Sequence, residues 1–245
     1  MRALITRPRA DAAELERRLR RRGIRTMVEP MLTIELLPEA GVDLSDVQGL
    51  LFTSSNGARS FAAFSGRRDI PAFAVGDATA RTCREAGFET VHSAGGDVDD
   101  LARLVIRTVR PGDGRLVHVS GSVSAGDLAG ALGAAGFDVA RVPFYRALPA
   151  GTLSDALDQA LRRGHLDLVL FFSPRTAATF VSLVRAAGLE RSCRTIDALC
   201  LSPAVARRAA ELSWRQVTVA AAPTQTALLE ALDSQYFRDR PNGTT

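Results

Sequence analysis

No lysine occurs among the 245 residues; all 31 basic side chains are arginine. Schiff-base chemistry, pyridoxal phosphate anchoring and a P-loop lysine each need an ε-amine, so all three are excluded. Cysteine is nearly as scarce. Cys83, Cys193 and Cys200 lie far apart and read as reduced structural residues, not as a disulfide frame. The three histidines, His92, His118 and His165, show no metal-ligand spacing, which argues against a zinc site. Gly95-Gly96 and Gly121 form no dinucleotide fingerprint. Ser54 and Ser173 lack the surroundings of a nucleophile elbow, and no paired carboxylates stand out. No apolar run approaches the roughly 18 residues of a membrane span. The start, Met1 to Pro8, lacks the apolar stretch of a secretory leader, so a cytoplasmic protein is expected.

What the chain does contain is a second copy of itself, in three pieces whose order is rotated. Ala3-Leu4-Ile5-Thr6 with Leu15, Leu19, Gly23 and Pro30 recurs as Leu116-Val117-His118-Val119 with Leu128, Leu132, Gly136 and Pro143, at an offset of 113. Leu51-Phe52-Thr53-Ser54 with Ala58 and Phe61 recurs at 119 as Leu170-Phe171-Phe172-Ser173 with Ala177 and Phe180. The stretch from Ala72 to Arg81 recurs at 126 as Ala198 to Arg207. Two similar domains follow.

Each unit reads as a short apolar strand, a loop of small polar residues and an amphipathic helix stopped by glycine. Repeated βα units imply α/β domains with parallel sheets covered by helices on both faces. Because the second copy supplies its own version of residues 1 to 25, those residues must complete the C-terminal domain. The expected division is 1–27 plus 149–237 for one α/β domain and 38–138 for the other. Residues 28–37 and 139–148 are expected as a two-stranded β linker, and 238–245 as a disordered tail. A double crossing would let the domains open and close on a ligand between them.

In open parallel sheets, ligands sit beyond the carboxyl ends of the strands, where helix N-termini point. The loops there are rich in hydroxyls and glycine and poor in acids, which suits an anion. The bland alternative is that Ser54, Ser120, Ser173 and Thr6 simply cap helices. Two rival functions compete. One is a non-catalytic cytoplasmic small-molecule-binding protein with lobes like those of periplasmic binding proteins. The other is nucleic-acid binding, suggested by the net charge of +4 and six arginines between Arg17 and Arg25. A solvated helix end favoured by the helix dipole explains that cluster as well.

The succession Ile5-Thr6-Arg7-Pro8, Phe52-Thr53-Ser54-Ser55-Asn56-Gly57, Ala74-Val75-Gly76-Asp77-Ala78-Thr79-Ala80, Val142-Pro143-Phe144-Tyr145-Arg146 and Phe171-Phe172-Ser173-Pro174-Arg175-Thr176 resembles the uroporphyrinogen-III synthase family over residues 1 to about 234. The resemblance implies two α/β domains on a two-stranded linker. It implies a substrate, hydroxymethylbilane, that is a linear tetrapyrrole bearing acetate and propionate groups. It implies dehydration, inversion of ring D and closure to uroporphyrinogen III, without metal or organic cofactor. Tyr145 matches the family's linker tyrosine, either assisting departure of the hydroxyl or packing in the hinge. Thr79 matches a family threonine. Ser54, Ser55, Asn56, Ser173 and Arg175 match ligand-facing positions, and Arg7 and Arg175 are natural carboxylate forks. Gly76, Thr176 and Ser202 complete the expected binding set. The chain departs from the family's Gly-Pro-x-Thr-Ala loop at Ser202-Pro203-Ala204-Val205-Ala206, which removes a hydroxyl at Val205 that Ser202 replaces in part. The expected partner is the polycarboxylate substrate, with no nucleic acid and no membrane. A monomer in transient contact with hydroxymethylbilane synthase is expected.

Overall fold

A computed structural model describes residues 1–37, 41–123 and 126–237. In chain order the elements are β1 (Arg2–Ile5), α1 (Arg9–Arg21), β2 (Arg25–Val28), β3 (Leu32–Leu36), β4 (Val47–Phe52), α2 (Ser55–Phe64), β5 (Ala72–Ala74), α3 (Asp77–Glu85), β6 (Val91–Ser93), α4 (Val98–Thr108), β7 (Arg115–Gly121), α5 (Leu128–Ala134) and β8 (Val139–Pro149). There follow α6 (Asp155–Arg162), β9 (Leu168–Phe171), α7 (Pro174–Ala186), a 3-10 turn (Glu190–Thr195), β10 (Asp197–Cys200), α8 (Pro203–Ala209), β11 (Gln216–Val219) and α9 (Gln225–Tyr236). The chain forms two compact units. Unit 1 comprises Met1–Thr33 and Leu148–Thr245, and unit 2 comprises Ile34–Ala147. Unit 1 is therefore assembled from two separate stretches. The tail expected at 238–245 lies outside the described residues.

Unit 1 holds a five-stranded sheet in the order β11-β10-β9-β1-β2, parallel throughout. Strand alternation sends Leu4, Val169 and Phe171 to one face, where they meet Phe180, Val184 and Val205 of α7 and α8. Ala3, Ile5 and Leu170 face the other way, onto Leu15 and Leu19 of α1 and Leu228 and Leu232 of α9. Leu15 and Leu19 are spaced one turn apart and wholly buried, each such side chain contributing about 1.5–3 kcal/mol. The chain leaves α1 through Gly23 at φ +74°, and Gly136, its repeat counterpart, closes α5 at φ +88°. Both use the left-handed conformation that glycine adopts without a Cβ penalty.

Unit 2 holds a six-stranded sheet in the order β3-β8-β7-β4-β5-β6. One face packs Phe52, Phe61, Phe88 and Phe144 with Cys83, the rings meeting at centroid distances of 5.5 to 6.2 Å. The other packs Leu51, Phe73, Leu101, Val105 and Leu132. Strands β3 and β8 lie side by side, with the Leu37 amide donating to Phe144 O at 2.9 Å and the Ala150 amide to Met31 O at 3.0 Å. β8 also pairs in parallel with β7 from Val139 to Tyr145, so it is an integral strand of this sheet as well as a crossing segment.

The repeat offsets reappear in the strand register. Ala3 faces Leu168 in unit 1 and Leu116 faces Gly49 in unit 2, which are the same pair displaced by 113 and 119. Leu4 opposite Met27 likewise matches Val117 opposite Ala140. Val169 opposite Ala198 matches Leu50 opposite Ala72. A one-residue slip would turn every core side chain to the wrong face, so the two copies share packing as well as sequence.

Candidate functional site

Each sheet reverses its direction of winding once. In unit 2 the chain runs outward from β4 through β5 to β6, while β7 and β8 build on the other flank. The reversal therefore falls between β4 and β7, and in unit 1 it falls between β9 and β1. Diverging connections leave a crevice beyond the strand ends at such points, the usual ligand position in open α/β sheets.

At the unit 2 reversal, Thr53 and Ser54 follow β4. Ser54 caps α2 in an extended conformation, its Oγ accepting from the Gly57 amide at 3.2 Å. The same Oγ lies 2.7 Å from the Tyr145 hydroxyl. Tyr145 comes from β8, opposite Gly121 at a register shift between β7 and β8. A Cβ on Gly121 would stand 3.0 Å from two ring carbons of Tyr145, so the bare backbone lets the ring lie close. The Tyr145 carbonyl accepts from the Ser122 amide at 2.8 Å, which fixes the strand that carries the ring.

Behind this pair lies a buried polar contact. His118 on β7 is 2 % exposed, and its Nε2 lies 3.2 Å from Thr53 Oγ1. Burial, with a smaller effect from the Arg141 cation, lowers the imidazole pKa from 6.5 to about 4, so the ring is neutral at pH 7. Arg141 donates to the carbonyls of Gly121 at 3.0 Å and Ser122 at 3.1 Å, fastening the loop after β7.

At the unit 1 reversal, Thr6 and Arg7 follow β1. The Thr6 hydroxyl donates to Leu170 O at 2.7 Å, tying β1 to β9. The Arg7 guanidinium lies 4.3 Å from the centroid of Phe172 and donates to Gln225 Oε1 at 2.9 Å. Ser173 caps α7 and forms a reciprocal capping box with Thr176. Arg175 is exposed in the first turn of that helix.

These positions correct two expectations. Ser54 and Ser173 are helix caps, but Thr6 and Ser120 are not; the Ser120 hydroxyl donates to Val142 O at 3.3 Å, so both residues tie neighbouring strands. The loops were also expected to be poor in acids, yet Asp97 and Asp127 cap α4 and α5, Asp99 and Asp100 occupy the first turn of α4, and Asp77 begins α3. Those N-termini already carry carboxylates. Helices α2, α7, α8 and α9 have none in their first turns, which leaves them as the ends able to receive an anion.

Of the expected site residues, Ser54, Ser55, Asn56, Gly76, Thr79 and Tyr145 belong to unit 2. Only Ser54 and Tyr145 among these are hydrogen-bonded to each other in the described structure. Ser55 Oγ reaches Ala78 O at 3.5 Å, and Asn56 Oδ1 accepts from Arg59 at 2.8 Å. Gly76 caps α3 at φ −163°, a conformation open to any residue. Thr79 is buried two residues into that helix. In unit 1 Thr176 is 3 % exposed and its hydroxyl is committed to the capping box. Ser202 caps α8, accepting from the Val205 amide at 3.4 Å. No group of three or more acidic, histidine or cysteine side chains among the described residues is placed to hold a metal. The arginine cluster on α1 is largely paired: Arg17 and Arg18 with Glu14, Arg20 with Glu16, and Arg22 with Asp233 at 2.7 Å.

The sequence model for the family described as uroporphyrinogen-III synthase HemD matches residues 13–230. The chain belongs to the uroporphyrinogen-III synthase family. The curated uroporphyrinogen-III synthase of Chlorobaculum parvum is 28% identical over 205 residues, covering 77% of this chain and 81% of that protein. The porphyrin biosynthesis protein HemD of Ruminiclostridium josui is 22% identical over 94% of this chain, which spans 47% of that longer relative. Among solved structures, uroporphyrinogen-III synthetase from Helicobacter pylori 26695 matches with a TM-score of 0.63 at 17% identity, over 96% of this chain and all of that one. A mutant uroporphyrinogen III synthase from Thermus thermophilus gives 0.52 at 19%, over 96% and 97%. Both support the two-domain α/β fold. As a uroporphyrinogen-III synthase family member the chain is a lyase of porphyrin biosynthesis, and the non-catalytic binding protein is set aside.

Within this family member, reading residues by type missed Thr53, His118, Arg141, Phe172 and Gln225. One signal was present: the repeat sets His118 against Ile5, a polar residue at a position whose twin is wholly buried.

Proposed function

We propose that Tyr145, oriented by Ser54, assists departure of the hydroxyl when this uroporphyrinogen-III synthase dehydrates hydroxymethylbilane, inverts ring D and closes the macrocycle. The observation that carries the reading is the 2.7 Å contact between the two hydroxyls at the winding reversal of unit 2. Ser54 Oγ accepts from the Gly57 amide and keeps one proton to give. When it gives that proton to the Tyr145 oxygen, the phenol's own proton is free to go to the substrate's leaving oxygen. The carbon–oxygen bond then breaks and water departs.

Unit 1 offers a different chemistry. The Arg7 guanidinium and the acid-free starts of α7 and α9 suit acetate and propionate groups, so Arg7, Ser173 and Arg175 are assigned to binding. Ser55, Asn56, Gly76 and Thr79 in unit 2, and Thr176 and Ser202 in unit 1, line or support the same loops. The three cysteines are free and buried, with burial pushing their thiols up to about 12. Free buried thiols fit a cytoplasmic enzyme. We read it as a monomer that receives substrate through transient contact with hydroxymethylbilane synthase.

The test is turnover of freshly generated hydroxymethylbilane by wild type and Tyr145→Phe. Loss of a positioned acid is expected to lower kcat by about a hundredfold or more. A fall within about twofold, some 0.4 kcal/mol of barrier, would remove Tyr145 from the chemistry.

A further inference from the structure

The contact between His118 and Thr53 lies behind the proposed reacting pair and touches neither Ser54 nor Tyr145 by any hydrogen bond described. His118 is 2 % exposed, so it cannot meet substrate itself. Its Nδ1 is buried and has no hydrogen-bond partner among the described residues, while its Nε2 lies 3.2 Å from Thr53 Oγ1. A neutral imidazole carries its single proton on one nitrogen or the other. A proton on Nδ1 would be a buried donor with no acceptor, whereas a lone pair there is the better tolerated defect. Nε2 therefore holds the proton and gives it to Thr53.

Thr53 is half-buried and stands directly before Ser54. With its oxygen accepting from His118, its own proton must go elsewhere. We propose that His118 is a positioning residue that turns Thr53 into a hydrogen-bond donor for a carboxylate of the substrate, beside the Ser54–Tyr145 pair. The inference rests on the family's reaction occurring at the unit 2 reversal. It gives that site a carboxylate-reading hydroxyl whose direction is set from within the sheet. Lowering of the imidazole pKa by burial agrees with a neutral ring. The twin position in unit 1 is Ile5 and the twin of Thr53 is Phe172, so the device belongs to unit 2 alone.

Two measurements on the full chain test it. In 15N-labelled protein at pH 7, long-range proton–nitrogen correlations should show His118 neutral with the proton on Nε2, assigned by its loss in His118→Gln. A proton on Nδ1, or a charged ring, would overturn the proposal whatever the enzyme's activity. In kinetics, His118→Leu and Thr53→Val should each raise KM about tenfold, the scale of one hydrogen bond to a charged group, with kcat little changed. The double variant should lose no more than either single one, and His118→Gln should recover part of the loss. Losses that multiply in the double variant, or fall on kcat alone, would contradict it. If wild type forms no type III product, the family's reaction fails at this site, and the tautomer still decides the His118–Thr53 pair separately.

Discussion

His118 gives the molecule a pH dependence that can be read at a single residue. Its imidazole has a pKa of about 4 in the folded chain against an ordinary value of 6.5, because burial opposes the charged form. The folded state then binds fewer protons than the unfolded chain between those values. The stability it contributes is complete above about 6.5 and is lost as the pH falls to about 4, in total about 3 kcal/mol. Urea unfolding of wild type and His118→Leu across that range should show the wild-type midpoint falling further than the variant's. Parallel curves would mean that the ring is not held neutral. His118 could have been noticed in the sequence, since the repeat pairs it with Ile5. Its partner could not, because Thr53 lies 65 residues away and only the register of β4 on β7 joins them. Asp197 is similar. Its carboxylate is held by Arg215 through two 2.7 Å bonds, by Gln235 and by the Tyr236 hydroxyl, which no spacing rule connects. It opens β10, away from the strand ends where ligands sit.

The elements themselves were the most legible part, because hydrophobic period, glycine stops and the duplication all pointed the same way. The strands that the repeat matches keep its offsets in their register, as Leu4 with Met27 and Val117 with Ala140 show. Less legible was what each helix start does. A serine near the end of an apolar run reads alike whether it caps a helix, as Ser54 does, or lies in a strand and ties it to the next, as Ser120 does. Helix α2 shows how closely its start is fitted. A Cβ on Gly57 would stand 2.8 Å from the Val119 carbonyl oxygen, a backbone atom that cannot swing aside. In α7 the equivalent place is held by Thr176, which closes the capping box with Ser173. Gly57→Ala should therefore destabilise the protein by about 1–3 kcal/mol, measured by urea unfolding, and should loosen the Ser54 cap. An unchanged midpoint would show that α2 can shift without strain.

At the scale of the whole chain, duplication has produced two switch points with different chemistries. In unit 2 the loop after β4 sets Ser54 against the Tyr145 hydroxyl and Thr53 against the buried His118 imidazole. In unit 1 the twin loops hold an arginine against Phe172 and Gln225. The rotated order of the repeats leaves residues 1 to 25 no place in a simple tandem, and unit 1 comprises Met1–Thr33 and Leu148–Thr245. How the copies diverged was not legible, because it lies in single replacements such as Arg7 for Ser120 and Phe172 for Thr53. The most direct measurement is the isomer formed when purified chain meets freshly generated hydroxymethylbilane, which closes unaided without inverting ring D to the type I product. A shift to uroporphyrinogen III is the result expected of this chain. A product that stays type I whatever the protein concentration would contradict it.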